Sequence, residues 1–486
     1  MRVGDRRTQF VTTVRRGPAV RRGVSQVRRL LGRGHLGRAE HRSTEHGRGT
    51  RHRGPSNLLR GVSPWLVAVM LITLPVACKQ STAVSANGDQ ESAGPGAAAP
   101  AASREASKAQ TGTAAPRTAA SAEESFPPPG PTSWASFRNG PRQLGVAGST
   151  LPDSLELLWK FPVEYGVVTS AAIVGGHVYV GAMSGDFYCL AKSTGDVVWQ
   201  YRSTEEDDDN AAPGFKAPPT VTVDAVYVGD DFGGVHAIER ATGKKRWTLQ
   251  TDAEIAGGAA VVGENVIVGS HDSNLYCLSA ADGSVVWKFP TLDRINCSPA
   301  VAENFTFVAG CDEHLRVINL ETAEQKSDIP LGSYLIASPA VLGDMLYVGT
   351  YTSEVVAINW KSEEIVWKYS DPTREQPYHA SAAVTDKHVI AGGRDKQLHC
   401  IDRATGEGVW KFPTRAKIDS SPVIVGNRVF FGSSDRNVYG VNIETGEEAW
   451  KFNTGGDVTA APAVGENVLV IGTEGNPAFV FCFGEK

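Results

Sequence analysis

Lysine is absent from the first 60 residues, which hold sixteen arginines and only three acids, Asp5, Glu40 and Glu45. Beyond Arg60 the balance reverses. Of the chain's 48 Lys and Arg and 53 Asp and Glu, 32 and 50 lie there, a net charge of −18. Nucleic acid is excluded as a ligand of that region, because such binding draws its affinity from clustered Lys and Arg. Also missing is an apolar run long enough to span a bilayer: the charge-free stretch Trp65–Ala77 is thirteen residues, against the roughly 20 that a membrane helix needs. No Ser-His-Asp order, phosphate-cradling glycine loop, His-x-x-x-His or Cys-x-x-Cys occurs, so the motifs of hydrolases, nucleotide-binding loops and zinc sites are absent. None of the seven cysteines has a cysteine neighbour in sequence.

The N-terminal third divides by composition. Residues 1–57 lack a hydrophobic period and cannot bury a core. They read either as a disordered basic arm or, preferably, as an over-long gene start. Residues 58–77 set their thirteen-residue apolar run behind Arg60, which is the build of a signal-peptide core. Leu74-Pro-Val-Ala-Cys78 resembles a bacterial lipobox, in which Cys78 takes a diacylglyceryl group; Pro75 stands where the usual pattern has Leu. Residues 78–130, rich in Ala, Pro and Ser, read as a flexible tether. Residues 131–154 carry Trp134 and Phe137 and read as a lead-in that packs on the domain behind it.

That domain is repetitive. Trp159, Trp199, Trp247, Trp287, Trp367, Trp410 and Trp450 stand at intervals of 40, 48, 40, 80, 43 and 40 residues, and Ser327 takes the tryptophan place at the midpoint of the 80. Each period breaks into four short apolar runs parted by turn residues, hence four antiparallel strands. A glycine stands four residues before five of the tryptophans, as Gly283 does before Trp287, and supplies a turn with positive φ. Asp272-Ser-Asn274 and Asp435-Arg-Asn437 mark hairpin turns rather than calcium loops, since each offers too few oxygens.

Four-stranded units of about forty residues are propeller blades. The first strand of each unit begins with a small pair, Ser170-Ala, Ala217-Pro, Gly258-Ala, Ser298-Pro, Ser338-Pro, Ser381-Ala, Ser421-Pro and Ala461-Pro. Small residues belong at the crowded axis, and the tryptophans on the outer strands, where wedges diverge and the large rings dock neighbouring blades. Counting gives an all-β, eight-bladed β-propeller over 155–486. Its last three strands, ending at Ala478–Phe483, lack a fourth, while the strand at Leu155–Phe161 lacks a blade; the N-terminal strand should therefore close the ring.

The lattice of Thr-Gly-x-x-x-Trp followed by Ser-Pro-Ala-Val resembles the pyrroloquinoline-quinone-type (PQQ-type) repeats of quinoprotein dehydrogenases and of BamB-type outer-membrane assembly lipoproteins. Resemblance to the dehydrogenases would imply a quinone stacked on a Trp beneath a disulfide of adjacent cysteines, a calcium held by Glu, Asn and Asp, and a catalytic Asp. With no Cys-Cys pair and no long insertions, PQQ and calcium are not expected. Cys189, Cys277, Cys400 and Cys482 share one repeat position and read as small core residues; Cys297 and Cys311 fall in one blade and read as free thiols.

The BamB-like resemblance implies a non-catalytic, lipid-anchored scaffold of the outer membrane, facing the periplasm as a monomer and binding other envelope proteins. Two alternatives stay open: a PQQ-dependent dehydrogenase, and a receptor that holds a ligand in the axial channel. Asn296, His379 and Asp419 occupy one repeat position, two residues before the small pair, and are expected to gather as a polar site at the channel mouth. The acidic run Glu205–Asp209, inside the single 48-residue period, reads as a solvated loop.

Overall fold

Alternation of apolar and polar residues within each period leaves every strand with one or two faces to bury, and neighbouring wedges are the only apolar surfaces available. The computed structural model describes residues 126–204 and 212–486. Among them it has 32 strands in eight four-stranded antiparallel sheets and no helix, arranged as an eight-bladed propeller. Blades one to seven are consecutive, at 172–202, 220–250, 260–290, 300–330, 340–369, 383–413 and 423–453. The eighth takes three strands from 463–484 and its fourth from Glu156–Val163, which pairs with Ala478–Gly484. The ring closes as the strand count requires, with no free sheet edge at the seam. Cys78, the leader and the acidic run at 205–209 lie outside the described residues.

The tryptophan lattice works as a set of clasps. Each indole N–H donates to a backbone carbonyl of the next blade: Trp159 to Lys192, Trp199 to Arg240, Trp247 to Ala280, Trp287 to Leu320, Trp367 to Arg403 and Trp410 to Ile443, at 2.7–3.0 Å. Trp450 reaches across the seam to Leu155 O, 3.1 Å away. The repeated glycine has a reason beyond its φ. At Gly283 (φ +76°) a Cβ would come within 2.6 Å of the Trp247 ring of the preceding blade.

Where Ser327 replaces the tryptophan, that turn position carries Glu363 at φ 63°, and Ser327 Oγ donates to its carboxylate at 2.6 Å. The vacant volume is filled from the other side. Trp360, fully buried, packs edge-on against Phe307 and donates its indole N–H to Gly343 O at 3.1 Å. One large ring between wedges is kept although its sequence position has moved.

The lead-in is longer than its two aromatics suggested. Among the described residues it already makes contact at Phe126, whose ring stacks on His177 at 4.4 Å. From there the chain circles one face of the ring, and its carbonyls accept inner-strand amides of six blades and a turn amide, that of Glu466, in the eighth. Thr132 accepts from Glu466, Trp134 from Ile173, Ala135 from Val221, Pro141 from Val301, Arg142 from Val341, Leu144 from Val384 and Gly145 from Ile424, at 2.6–2.9 Å. Seven blades are thus stapled. Val261, the equivalent residue of the third blade, has no such acceptor among the described residues. Between Ala135 and Pro141 the strap turns inward through positive φ at Arg138, Asn139 and Gly140, which sends Phe137 into the channel and buries Arg138 completely. Gly145 is required there, because a Cβ would overlap the Arg138 guanidinium.

Starting the chain at Ser149 should lower the melting temperature while keeping the propeller, since the staples go but every blade remains. Starting at Val163 also removes the closing strand and should open the ring and cause aggregation. Thermal melts and light scattering check both; equal melting temperatures for all three proteins would contradict the strap and the seam together.

Candidate functional site

With one face strapped, the axial channel is a cavity open at the other end, with a volume of about 280 Å³. Its wall is two stacked rings. The outer ring holds one residue per blade in repeat register: Val168, Lys216, Ala256, Asn296, Ile336, His379, Asp419 and Thr459, all eight lining the cavity. Asn296, His379 and Asp419 are therefore brought to one cavity, as their shared repeat position implies. Lys216 and Thr459 belong with them and escaped notice. The strand pairing aligns Thr220 and Val221 with Ala300 and Val301, so the small pair of that unit is Pro218-Pro219, one residue beyond Ala217-Pro. The 40-residue spacing of 216, 256, 296 and 336 was the available signal.

The inner ring explains the small pairs more fully than size does. Ser298 Oγ accepts the amide of Gly258, Ser338 Oγ that of Ser298, Ser381 Oγ that of Ser338 and Ser421 Oγ that of Ser381, each at 2.8–2.9 Å. Blade is tied to blade around the axis through hydroxyls. In five blades a proline follows (Pro219, Pro299, Pro339, Pro422, Pro462), which removes an inner-edge N–H that would otherwise need a partner. Phe137 closes the floor, and behind it Arg138 donates to Pro422 O at 2.5 Å and Ala382 O at 2.7 Å. Burial brings the Arg138 guanidinium down to about 9.

Charges on the outer ring are already engaged. Arg394 grips Asp419 through Nε and Nη2 at 2.8 and 3.0 Å, and Lys417 Nζ lies 2.6 Å from the same carboxylate. Burial alone would raise Asp419, but these two cations hold its carboxyl below the usual range. Glu254 sits 3.3 Å from Lys216 Nζ and 3.7 Å from His271 Nδ1. Asn296 Nδ2 donates to Cys311 Sγ at 3.0 Å. His379 Nδ1 is 3.9 Å from Asp419, its ring stacks on Tyr351 at 5.7 Å, and its buried Nε2 has no partner. Burial, aided by the Arg394 charge, pushes this imidazole down to about 4.

These residues do not fit a quinone with calcium. No tryptophan lines the cavity, and each acid there is neutralised by a cation rather than free for a divalent ion. The six cysteines of the described residues are free thiols, and burial pushes Cys297 up to about 12. One grouping of metal-ligating type exists among the described residues, Asp371, Asp395 and His399, with ligand atoms within 4.8 Å. It is a satisfied internal network: Lys411 Nζ lies 2.6 Å from Asp371, His399 Nε2 3.0 Å from Asp395, and Tyr369 Oη 3.0 Å from His399 Nδ1. The same Tyr-His-Asp chain recurs between the first and second blades with Tyr201, His236 and Asp230. In both, a hairpin aspartate braces the third strand, as Asp272 does with Tyr276 and Asp435 with Tyr439.

Profiles of known families decide the relationship. The one described as outer membrane protein assembly factor BamB matches residues 148–256, 231–376 and 352–481. The chain belongs to the BamB family. A BamB from Burkholderia pseudomallei is 24% identical over 229 residues, 44% of this chain and 60% of that protein, so the chain spans less than two thirds of this relative's length. Among solved structures, BamB from Moraxella catarrhalis superposes with a TM-score of 0.57 at 19% identity, covering 68% of this chain and 98% of that one. Quinohemoprotein alcohol dehydrogenase from Comamonas testosteroni gives 0.62 at 13% identity, covering 73% and 81%. At such identities these likenesses carry the fold alone.

The His379 environment sets a pH dependence. A histidine whose folded pKa lies below its unfolded value leaves the unfolded state holding more protons, so stability is present above about pH 6.5 and is lost as pH falls toward about 4. Between about pH 7 and about pH 4.5 this group should cost roughly 2 kcal/mol. His379→Gln should flatten that loss in urea unfolding; an unchanged difference between the two pH values would contradict the assignment.

Proposed function

We propose that this member of the BamB family is a non-catalytic scaffold that binds other envelope proteins in outer-membrane protein assembly. The observation that carries the reading is the family match over 148–481, joined to a ring strapped on one face and open on the other. The open face offers loops and a recess. Anchoring through an acylated Cys78, a periplasmic position at the outer membrane and a monomeric state complete the proposal. The tether at 78–130 would give the propeller reach from the membrane.

Two arms of one experiment test it. Expressed with its leader in a Gram-negative envelope, the protein should fractionate with membranes and Cys78→Ala should move it to the soluble fraction. Purified and incubated with PQQ and calcium, it should show no quinone absorbance and reduce no dye with alcohols or sugars. Dye reduction would replace the scaffold with a dehydrogenase, and an unmoved Cys78→Ala variant would remove the anchor.

A further inference from the structure

We propose that the open face receives an acidic stretch of a partner polypeptide and buries one of its carboxylates in the axial cavity. This rests on the scaffold reading and names the chemistry of the partner. The cavity is rich in donors that lack acceptors. Ser298, Ser338, Ser381 and Ser421 are 2–6% exposed. Each Oγ accepts an amide, and for each O–H no acceptor lies among the described residues. His379 Nε2 is likewise buried on the wall without a partner. Beneath them lies Arg138, fully buried, with a partnerless Nε and only carbonyls for company. Those carbonyls belong to Ala382 and Pro422, the residues that follow Ser381 and Ser421, which sets the guanidinium just behind the hydroxyl ring. A carboxylate is acceptor-only. It would satisfy several hydroxyls at once, above a buried guanidinium that has no acid beside it.

The surroundings point the same way. In a region of net charge −18, the cavity-side loops of the sixth and seventh blades carry Arg374, Arg394, Lys396, Arg415, Lys417 and Arg436. Four of the acids among them face inward, Asp371 to Lys411, Asp395 to His399, Asp419 to Arg394 and Asp435 to Tyr439, while Glu375 is exposed and Asp457 lies 3.8 Å from Arg436, so exposed cations still outnumber exposed acids. The outward charge of this arc is therefore positive, and it adjoins the cavity through Arg394 and Lys417. Tyr334 and Tyr351, 43% and 49% exposed, stand beside His379 on the next blade and supply apolar contact for neighbouring residues of a bound chain. A planar lipid surface could reach the arc but not the recessed hydroxyls, which favours a polypeptide.

Fluorescence anisotropy with labelled hexaglutamate, and with hexaglutamine as the neutral control, tests this on the intact protein. Hexaglutamate should bind, more weakly as salt rises, and hexaglutamine should not. Lys396→Glu, Arg415→Glu and Arg436→Glu together should weaken binding about tenfold or more and flatten the salt dependence. Ile336→Trp, which fills the cavity and leaves the serine ring intact, should weaken binding and keep the salt slope. Equal binding of hexaglutamine, an unaffected triple variant, or capture of phosphatidylglycerol vesicles with none of hexaglutamate would overturn the inference. Should the triple variant still crosslink to outer-membrane assembly proteins in cells as the unaltered protein does, the inference fails while the scaffold reading stands.

Discussion

Eight strand edges face the axis of this propeller, and how their amides are satisfied governs the rest of the structure. A buried backbone N–H without a partner costs as much as a lost hydrogen bond, and a ring of blades multiplies that cost around a narrow channel. Three devices meet it at successive depths. Serine hydroxyls of the next blade accept the amides at the cavity, prolines remove amides one residue on, and the strap's carbonyls accept those at the far end. The last device is what closes the channel and makes it a cavity, so the open face and its polar rings follow from how the inner edges are satisfied.

The outer part of the ring obeys a different rule, that of filling volume where wedges diverge. A tryptophan on the fourth strand, a carbonyl of the next blade and a turn without a side chain form one unit. The Ser327 position shows that the unit is conserved as volume rather than as sequence, because Trp360 supplies the ring and its indole finds another carbonyl. The neighbouring turn then tolerates Glu363.

The repeat made much of this legible. Blade number, strand number, closure by the N-terminal strand and the meeting of Asn296, His379 and Asp419 all follow from equivalent positions in a ring. What a lattice cannot display is which of its positions touch. The Ser-to-amide ties join residues 40 or 43 apart whose alignment looks like mere repetition. The strap has no repeat at all, and only Trp134 and Phe137 hinted at it. Lys216 was missed for a third reason: the insertion in the second period and its double proline shifted the apparent register by one. The Tyr-His-Asp chains join the fourth strand of one blade to the third strand of the next, positions that are not equivalent in the repeat.

The one-ended cavity leads back to the strap, since a channel open at both ends would have neither a floor at Phe137 nor a buried Arg138 behind it. Amide hydrogen exchange of the folded protein tests this most directly. The amides of Ile173, Val221, Val301, Val341, Val384 and Ile424, each held by a strap carbonyl, should be strongly protected, while the unstapled Val261 exchanges far faster than these six counterparts. Val261 protected to the same degree, or all of these positions exchanging as fast as surface amides, would contradict the account.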